Sequence, residues 1–200
     1  MAGKKQFDVE RVLDAAMTQF WQAGYADTSI DDLSRVTGLN RSSLYSSFGG
    51  KDALFLRCLD RYADRYGDRY DAALSGAAPD PVAVVRAFFD VTLARIADPD
   101  VPDGCLIAQS VMAVPTLTPD VAAHAVGALG RQRHRVGSAL RASGMPASIA
   151  ETFALQVAAV NQSLAVMSRG GASTADLETV VAVSVDGLAH AVADRSSTVE

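Results

Sequence analysis

The chain has 200 residues, 49% of them apolar and 20% charged, and its formal net charge is −5. This composition is enough to bury a core and excludes a disordered chain. The N-terminus has no apolar stretch typical of a signal peptide, and the longest uncharged apolar run, 152–168, is shorter than the ~20 residues that a membrane span needs. Two cysteines without paired spacing, Cys58 and Cys105, predict neither a disulfide nor a zinc site.

The acidic excess lies in the second part of the chain. Residues 1–66 carry nine Lys or Arg and nine Asp or Glu, whereas residues 67–200 carry nine basic and fourteen acidic residues. A neutral N-terminal region can still bind phosphate groups through a few well-placed cations and amides.

The first predicted helix begins after Asp8, a good N-cap residue, and ends before Gly24. Its apolar residues recur at the spacing of one helical face. They are Val9, Val12, Leu13, Ala16, Met17 and Phe20.

Two short helices and a long one are predicted next. The second helix follows Thr28 and Ser29, either of which can cap it, and ends at Gly38. Asn40 caps a third helix that ends at the glycine pair 49–50. A fourth helix is predicted from about residue 51 to about 75, long enough to connect two domains.

Five more helices are predicted in the rest of the chain, over about 82–97, 105–114, 119–143, 147–169 and 174–193. Asp80 followed by Pro81, and Thr118 followed by Pro119, are typical helix starts. Ser148 and Glu151 have the spacing of a capping box. No segment has convincing strand alternation, so the predicted fold class is all-α.

The segment from Ile30 to Phe48 has the spacing of a helix-turn-helix. Ser34 is the small residue where two helices meet at a steep angle, Gly38 allows the left-handed turn, and Leu44 is the apolar plug from the second helix. The longer string QAGYADTSIDDLSRVTGLNRSSLYSSFGGKDALF resembles the DNA-binding domain of the TetR (tetracycline-repressor-like) family of transcriptional regulators. The resemblance covers about residues 8–56.

This resemblance implies a domain organisation. We expect an N-terminal three-helix DNA-binding domain over residues 1–50 and a C-terminal helical bundle over residues 51–200 that binds a ligand and dimerises. The fourth helix is the expected connector, and the whole fold is expected to have about nine helices.

The third helix is the expected recognition helix, because the second helix of such a hairpin enters the major groove with its N-terminal residues against base edges. Arg41 is expected to read guanine or to bind phosphate, Tyr45 and Lys51 to bind phosphate, and the amides of residues 28–29 to hold the backbone. The expected DNA-binding residues are Thr28, Ser29, Asn40, Arg41, Ser42, Ser43, Tyr45 and Lys51, with Lys4 and Lys5 as a further arm. Helix capping by Ser29 and Asn40, packing by Tyr45, and solvated surface positions for Arg41 and Lys51 are the alternatives.

The last two predicted helices are the expected dimer interface, because each carries an apolar stripe and two such pairs build a four-helix bundle. The alternative is that both stripes form an intramolecular core. The expected interface residues are Val157, Val160, Leu164, Met167, Leu177, Val181, Ser184 and Leu188.

A small-molecule pocket is expected among the fourth to eighth helices, although each of its residues is a core residue by default. The expected lining residues are Tyr62, Tyr66, Phe88, Phe89, Gln109, Met112 and Phe153. The resemblance implies a homodimeric repressor that a small apolar or aromatic molecule releases from operator DNA by shifting the fourth helix.

Two alternatives remain: a redox-sensing regulator that acts through Cys105, and a helical binding protein without DNA activity. Because no catalytic or nucleotide-binding motif is found, we expect no enzyme activity, no cofactor and no metal. The expected location is the cytoplasm.

Overall fold

The computed structural model describes residues 7–77 and 80–196, and of residues 194–196 it describes the backbone alone. The described residues form nine α-helices and one short 3-10 helix, with no strand among them, which confirms the predicted all-α fold. The α-helices are α1 Val9–Ala23, α2 Ile30–Thr37, α3 Arg41–Phe48, α4 Lys51–Gly76, α5 Pro81–Ile96, α6 Leu106–Met112, α7 Pro119–Ala142, α8 Ala147–Arg169 and α9 Thr174–Ser196.

The predicted N-caps of the early helices are confirmed. The Asp8 carboxylate accepts hydrogen bonds from the amides of Glu10 and Arg11, at 3.0 and 3.2 Å, and so satisfies donors that the first turn of α1 leaves free. Asp80 does the same for the first turn of α5, which begins with Pro81. Side chains that are polar and short therefore determine where these helices begin.

The predicted capping box of α8 is wrong. Pro146 is the N-cap residue of α8 and makes no side-chain cap, whereas Ser148 lies inside the first turn. Glu151 instead accepts hydrogen bonds from the guanidinium groups of Arg141 and Arg133. The arginines of the preceding helix thus compete successfully for a carboxylate that the local sequence spacing assigned to the helix end.

The described chain divides into two compact units. The first comprises the residues up to Asp64 together with Leu106–Ala128, and the second comprises Arg65–Cys105 and the residues from Leu129 onward. This division differs from the boundary expected after residue 50, because the first half of α4, all of α6 and the start of α7 group with the helix-turn-helix.

The core of the first unit is aromatic. Phe20 and Phe55 are fully buried with their ring centroids 4.7 Å apart, and Trp21 lies edge-on to Tyr62 at 4.9 Å. Arg61 of α4 donates two 2.8 Å hydrogen bonds to the Asp14 carboxylate of α1. These contacts hold the N-terminal half of α4 against α1.

The second unit combines an apolar core with a buried polar chain. Phe88 and Phe89 of α5 are fully buried, and the Phe88 ring stacks on Tyr70 at 4.5 Å. The Tyr70 hydroxyl lies 2.8 Å from the Thr92 hydroxyl, which in turn donates to the side-chain oxygen of Asn161 at 2.6 Å. Asn161 donates onward to Gln132 at 3.3 Å, so the chain links α4, α5, α8 and α7.

The expected dimer-interface residues require a correction. Most of them are buried within the single chain, where they pack α8 and α9 against each other and against α5. Side chains that are already buried have no surface left for a second copy. The residues buried in this way are Val157, Leu164, Leu177, Val181, Ser184 and Leu188, while Val160 and Met167 are half-buried.

Candidate nucleic-acid interface

The turn between α2 and α3 has the geometry expected of a helix-turn-helix. Gly38 has φ +70°, a left-handed conformation, and its amide donates to the Ser34 carbonyl at 3.0 Å. A Cβ atom at Gly38 would meet no neighbour within 4 Å, so the backbone conformation is what favours glycine here. Leu33 of α2 and Leu44 of α3 are buried.

α3 presents one polar face to solvent. Leu44 and Phe48 are its buried residues, whereas Arg41, Ser42 and Tyr45 are exposed. The Tyr45 side chain is 55% exposed, so packing is not its role in this structure. A short helix with an apolar inner face and a polar outer face is what insertion into a DNA groove needs.

Asn40 has the structural role that was the alternative to DNA contact. Its side-chain oxygen accepts hydrogen bonds from the amide of Ser43 and from the hydroxyl of Ser42, both at 2.8 Å. Asn40 therefore begins α3 and also orients Ser42, whose oxygen keeps its capacity to accept.

Arg41 forms an ion pair that the sequence spacing did not reveal. Its Nε donates to the Asp31 Oδ1 at 2.6 Å, and its Nη2 donates to Oδ2 of the same carboxylate. This bonding to Arg41 holds the pKa of Asp31 below its usual range. The two residues are ten positions apart on different helices, so no rule of helical spacing predicts the contact.

The expected phosphate clamp at residues 28–29 requires a correction. Thr28 is fully buried, its hydroxyl donates to the Gly24 carbonyl at 2.7 Å, and its amide donates to the Tyr25 carbonyl at 3.4 Å. The Ser29 amide donates to the Asp32 carboxylate at 3.0 Å. Both amides therefore already have acceptors within the protein.

Ser29 and Asp32 form a complete capping box at the start of α2. The Ser29 oxygen accepts from the Asp32 amide at 3.1 Å while its hydroxyl donates to the Asp32 carboxylate at 2.6 Å. The Ser29 hydroxyl and amide, followed by the Arg35 guanidinium, lower the pKa of Asp32 to about 2. Ser29 therefore has the capping role that was the alternative for it.

Lys51 lies over an aromatic ring rather than extending into solvent. Its Nζ is 4.2 Å from the centroid of the Tyr25 ring, and partial burial lowers its pKa. The Tyr25 hydroxyl donates to Asp52, and burial together with this bond raises the pKa of Tyr25 to about 12. The second Asp52 oxygen accepts from the Thr118 hydroxyl at 3.1 Å.

Tyr25, Asp52 and Thr118 were therefore missed as neighbours of an expected DNA-binding residue. From the sequence, no role is expected for Tyr25. The contact between Tyr25 and Lys51 joins residues that are far apart in the sequence, so only the folded structure reveals this contact. The expected arm residues Lys4 and Lys5 lie outside the described residues.

The expected pocket residues do not form one set. Tyr62, Gln109 and Met112 belong to the first unit, whereas Tyr66, Phe88, Phe89 and Phe153 belong to the second. Tyr62 packs on Trp21, and Met112 is 73% exposed, which corrects the expectation that it lines an enclosed pocket.

Gln109 of α6 has a contact within the first unit. Its Nε2 donates to the Phe20 carbonyl at the end of α1 at 3.1 Å, while its buried Oε1 has no hydrogen-bond partner. Gln109 therefore fixes α6 to the last turn of α1.

Neither cysteine is exposed. Burial raises the pKa of the Cys58 thiol to about 12, which disfavours the reactive thiolate. Cys105 is 7% exposed, directly before α6. In the part of the chain that the structure describes, no group of His, Cys, Asp and Glu side chains is arranged to hold a metal ion, and no helix has the length and hydropathy of a membrane span.

Sequence comparison finds that the helix-turn-helix region is similar to a known protein family. The profile of the family described as "Bacterial regulatory proteins, tetR family" matches residues 12–58. The chain is 34% identical over 116 residues to the HTH-type transcriptional repressor ComR of Escherichia coli (strain K12), and the match covers 58% of this chain and 54% of ComR. It is 32% identical over 113 residues to YezE of Bacillus subtilis (strain 168), an uncharacterized HTH-type transcriptional regulator, covering 56% and 57% of the two chains. The matches thus span about half the length of these relatives.

Structural comparison extends over most of the chain. A cysteine-substituted TetR family transcriptional regulator CifR, complexed with 26-base-pair double-strand operator DNA, superposes with a TM-score of 0.82 and 27% identity, covering 91% of this chain and 97% of CifR. A TetR transcriptional regulator from Chloroflexus aurantiacus J-10-FL has a TM-score of 0.78 and 24% identity, covering 88% and 91%, which shows a shared fold. The similar proteins are named as regulators, not as enzymes.

Proposed function

We propose, from the premise that the chain belongs to the TetR family of bacterial regulatory proteins, that it binds operator DNA through α3 and regulates transcription. The observation that carries this proposal is the outer face of α3, where Arg41, Ser42 and Tyr45 are exposed opposite the buried Leu44 and Phe48. The similar CifR is described in complex with operator DNA. Because the similar ComR is named a repressor, we propose repression rather than activation.

The test is DNA binding by purified protein, with a fragment of the promoter upstream of its own gene. Arg41→Ala is expected to weaken specific binding by roughly 10- to 100-fold, measured by fluorescence anisotropy, with an unchanged circular dichroism spectrum. The control is Arg131→Ala, which removes an exposed arginine of α7 in the second unit and should leave affinity unchanged. Equal affinities of the Arg41 and Arg131 variants would contradict the assignment of α3.

We propose that the protein acts as a homodimer, since one helix-turn-helix offers few base contacts and a two-fold dimer reads a palindrome. The corrected interface is the outer face of α8 and α9. Leu155, Val166 and Val183 are 55%, 54% and 68% exposed in the isolated chain, and Ala159 lies between the first two on the same side of α8. An apolar exposed stripe of this kind indicates a protein partner.

Light scattering on the purified protein tests the dimer. Leu155→Glu and Val183→Glu are expected to shift the protein to monomer, because each places a charge in a desolvated interface. The control is Val126→Glu, which places the same charge at an exposed valine of α7. A monomeric wild-type protein at micromolar concentration, or dissociation only in the control, would contradict the proposal.

We propose that the effector is a small apolar or aromatic molecule that binds in the second unit. Support comes from the aromatic cluster of Tyr70, Phe88 and Phe89 beside the buried polar chain through Thr92 and Asn161, a combination of apolar wall and few polar groups typical of ligand sites. α4 has residues in both units, so a ligand that shifts its C-terminal half has a covalent route to the DNA-binding unit.

The effector proposal is tested by release of bound DNA. Small aromatic compounds are expected to release the DNA without an oxidant. Asn161→Ala is expected to change the concentration of compound that releases the DNA. Release that needs an oxidant and is lost in Cys105→Ser would instead support the redox alternative, which the burial of Cys105 disfavours. Because the proposed activity is on DNA, we propose that the protein is located in the cytoplasm.

A further inference from the structure

We propose that Asp31 is a positioning residue that determines specificity, because it directs the Arg41 guanidinium to a guanine base edge and away from phosphate. This inference rests on the proposed DNA binding by α3. It assigns a role to an acidic residue at a surface where acidic residues ordinarily weaken binding to DNA.

The geometry of the ion pair decides which part of Arg41 remains available. Asp31 accepts hydrogen bonds from Nε, at 2.6 Å, and from Nη2, so its carboxylate occupies the side edge of the guanidinium. The second N–H of Nη2 and both N–H groups of Nη1 are not used by Asp31. The second N–H of Nη2 and the adjacent N–H of Nη1 form the end edge of the guanidinium, which has the donor spacing needed for two hydrogen bonds to O6 and N7 of guanine.

The positions of Arg41 and Asp31 in the hairpin restrict the orientation of the Arg41 guanidinium. Arg41 is the first residue of α3, and Asp31 is in the first turn of α2. The Asp31 side chain is short and its backbone is held in a helix, so it restricts a long arginine side chain that otherwise samples many rotamers. Fixing the guanidinium before DNA arrives lowers the entropy cost of a two-point contact.

The charge of Asp31 explains why the contact favours a base over a phosphate. The pair is neutral as a whole, so Arg41 gains little from the general attraction between cations and the DNA backbone. A phosphate approaching Arg41 also meets the Asp31 carboxylate, which repels it. A guanine edge carries no net charge and does not suffer this repulsion.

The same pair contributes little to folding. The Arg41 and Asp31 side chains are 66% and 67% exposed, and ion pairs between exposed side chains have small effects on stability. A substitution that removes the carboxylate therefore leaves the fold intact and tests recognition alone.

The experiment compares wild type, Asp31→Asn, Arg41→Ala and the double variant. Wild-type protein is used to select binding sites from a random duplex library, and the guanine whose preference depends on Arg41 is identified by repeating the selection with Arg41→Ala. Asp64→Asn is the control, because it also removes one exposed negative charge of the first unit but lies on α4.

Wild type is expected to discriminate against replacement of that guanine by adenine by roughly 10- to 100-fold. Asp31→Asn is expected to reduce this discrimination ratio several-fold and to strengthen binding to an unrelated duplex. The fall of log affinity with log salt is expected to become steeper by about 1, because Arg41 becomes free to bind phosphate. Asp64→Asn should match wild type in all three measurements. The double variant should discriminate no better than Arg41→Ala alone.

The failures are distinguishable. If wild type selects no sequence, the proposed DNA binding falls and this inference falls with it. If Arg41→Ala loses the guanine preference while Asp31→Asn keeps it, only the role of Asp31 is overturned. Uniformly tighter binding of Asp31→Asn to all duplexes, with unchanged discrimination, would also overturn it, because Asp31 would then only weaken binding.

Discussion

α3 and α8 both bury one face, but they differ in what lies on the opposite side. In α3 the buried Leu44 and Phe48 are opposed by polar residues such as Ser42, whereas in α8 the buried Val157 and Leu164 are opposed by exposed apolar residues such as Leu155. The sequence of α3 therefore specifies which side faces inward, and the sequence of α8 does not. The exposed polar face suits the proposed contact with a duplex, and the exposed apolar face suits the proposed contact with a second copy of the chain.

The largest effect is expected from Leu164→Ala in α8. Leu164 is fully buried, so the variant is expected to lose about 2–5 kcal/mol of unfolding free energy through lost burial and the cavity left behind. Urea unfolding followed by circular dichroism measures this loss, which should appear at every protein concentration.

Val166→Ala is the corresponding substitution on the exposed side of α8. Its effect on unfolding should depend on protein concentration, because a residue of the proposed interface would stabilise the protein through dimer formation. A loss that equals that of Leu164→Ala at all concentrations would mean that the two sides of α8 are both interior.

Tyr45→Phe is expected to have the next largest effect, on DNA affinity rather than on folding. The exposed hydroxyl is proposed to donate to a phosphate, and a hydrogen bond to a charged group contributes roughly 1.5–3 kcal/mol, so affinity is expected to fall at least about 10-fold. Anisotropy titration measures the affinity. Unchanged binding, with unchanged urea stability, would remove Tyr45 from the interface.

The smallest effect is expected from Ser29→Ala, which removes the capping box of α2 and is expected to cost about 1 kcal/mol near pH 7. The folded-state pKa of Asp32 is about 2, below the value of about 3.9 in unfolded chains, so its contribution is present above about pH 4 and is lost as the pH falls toward 2. The difference between wild type and variant should therefore narrow over this range.

The matched control is Ser47→Ala, an exposed serine of α3 that is not at a helix start. Urea unfolding at pH 7 and at pH 3 makes the comparison. A difference between wild type and Ser29→Ala that stays constant with pH would show that Asp32 does not act through the capping box.

Most of the fold could be predicted, because local signals determine it. Asp8, Ser29 and Asn40 cap their helices as their positions indicate, and Gly38 adopts the left-handed turn. The capping box that was wrong depends on competition with residues of another helix. Glu151 was assigned to a capping box, but Arg141 and Arg133 bind it instead.

The candidate interface could be predicted as a set of positions but not as a set of interactions. The motif located Arg41 and Lys51, while their partners Asp31 and Tyr25 come from other elements and follow no sequence periodicity. Thr28 was misassigned because a buried threonine and an exposed one look alike in sequence. Only the packing of its neighbours distinguishes them.

Methylation interference on a selected operator tests most directly whether the exposed face of α3 lies in the major groove. Methylation of guanine N7 blocks that groove edge without changing base pairing. We expect methylation of one guanine in each half-site to prevent binding by wild type, and Arg41→Ala to lose this sensitivity in whatever binding it retains. Binding that tolerates N7 methylation at every guanine, or the same interference pattern in both proteins, would contradict the account.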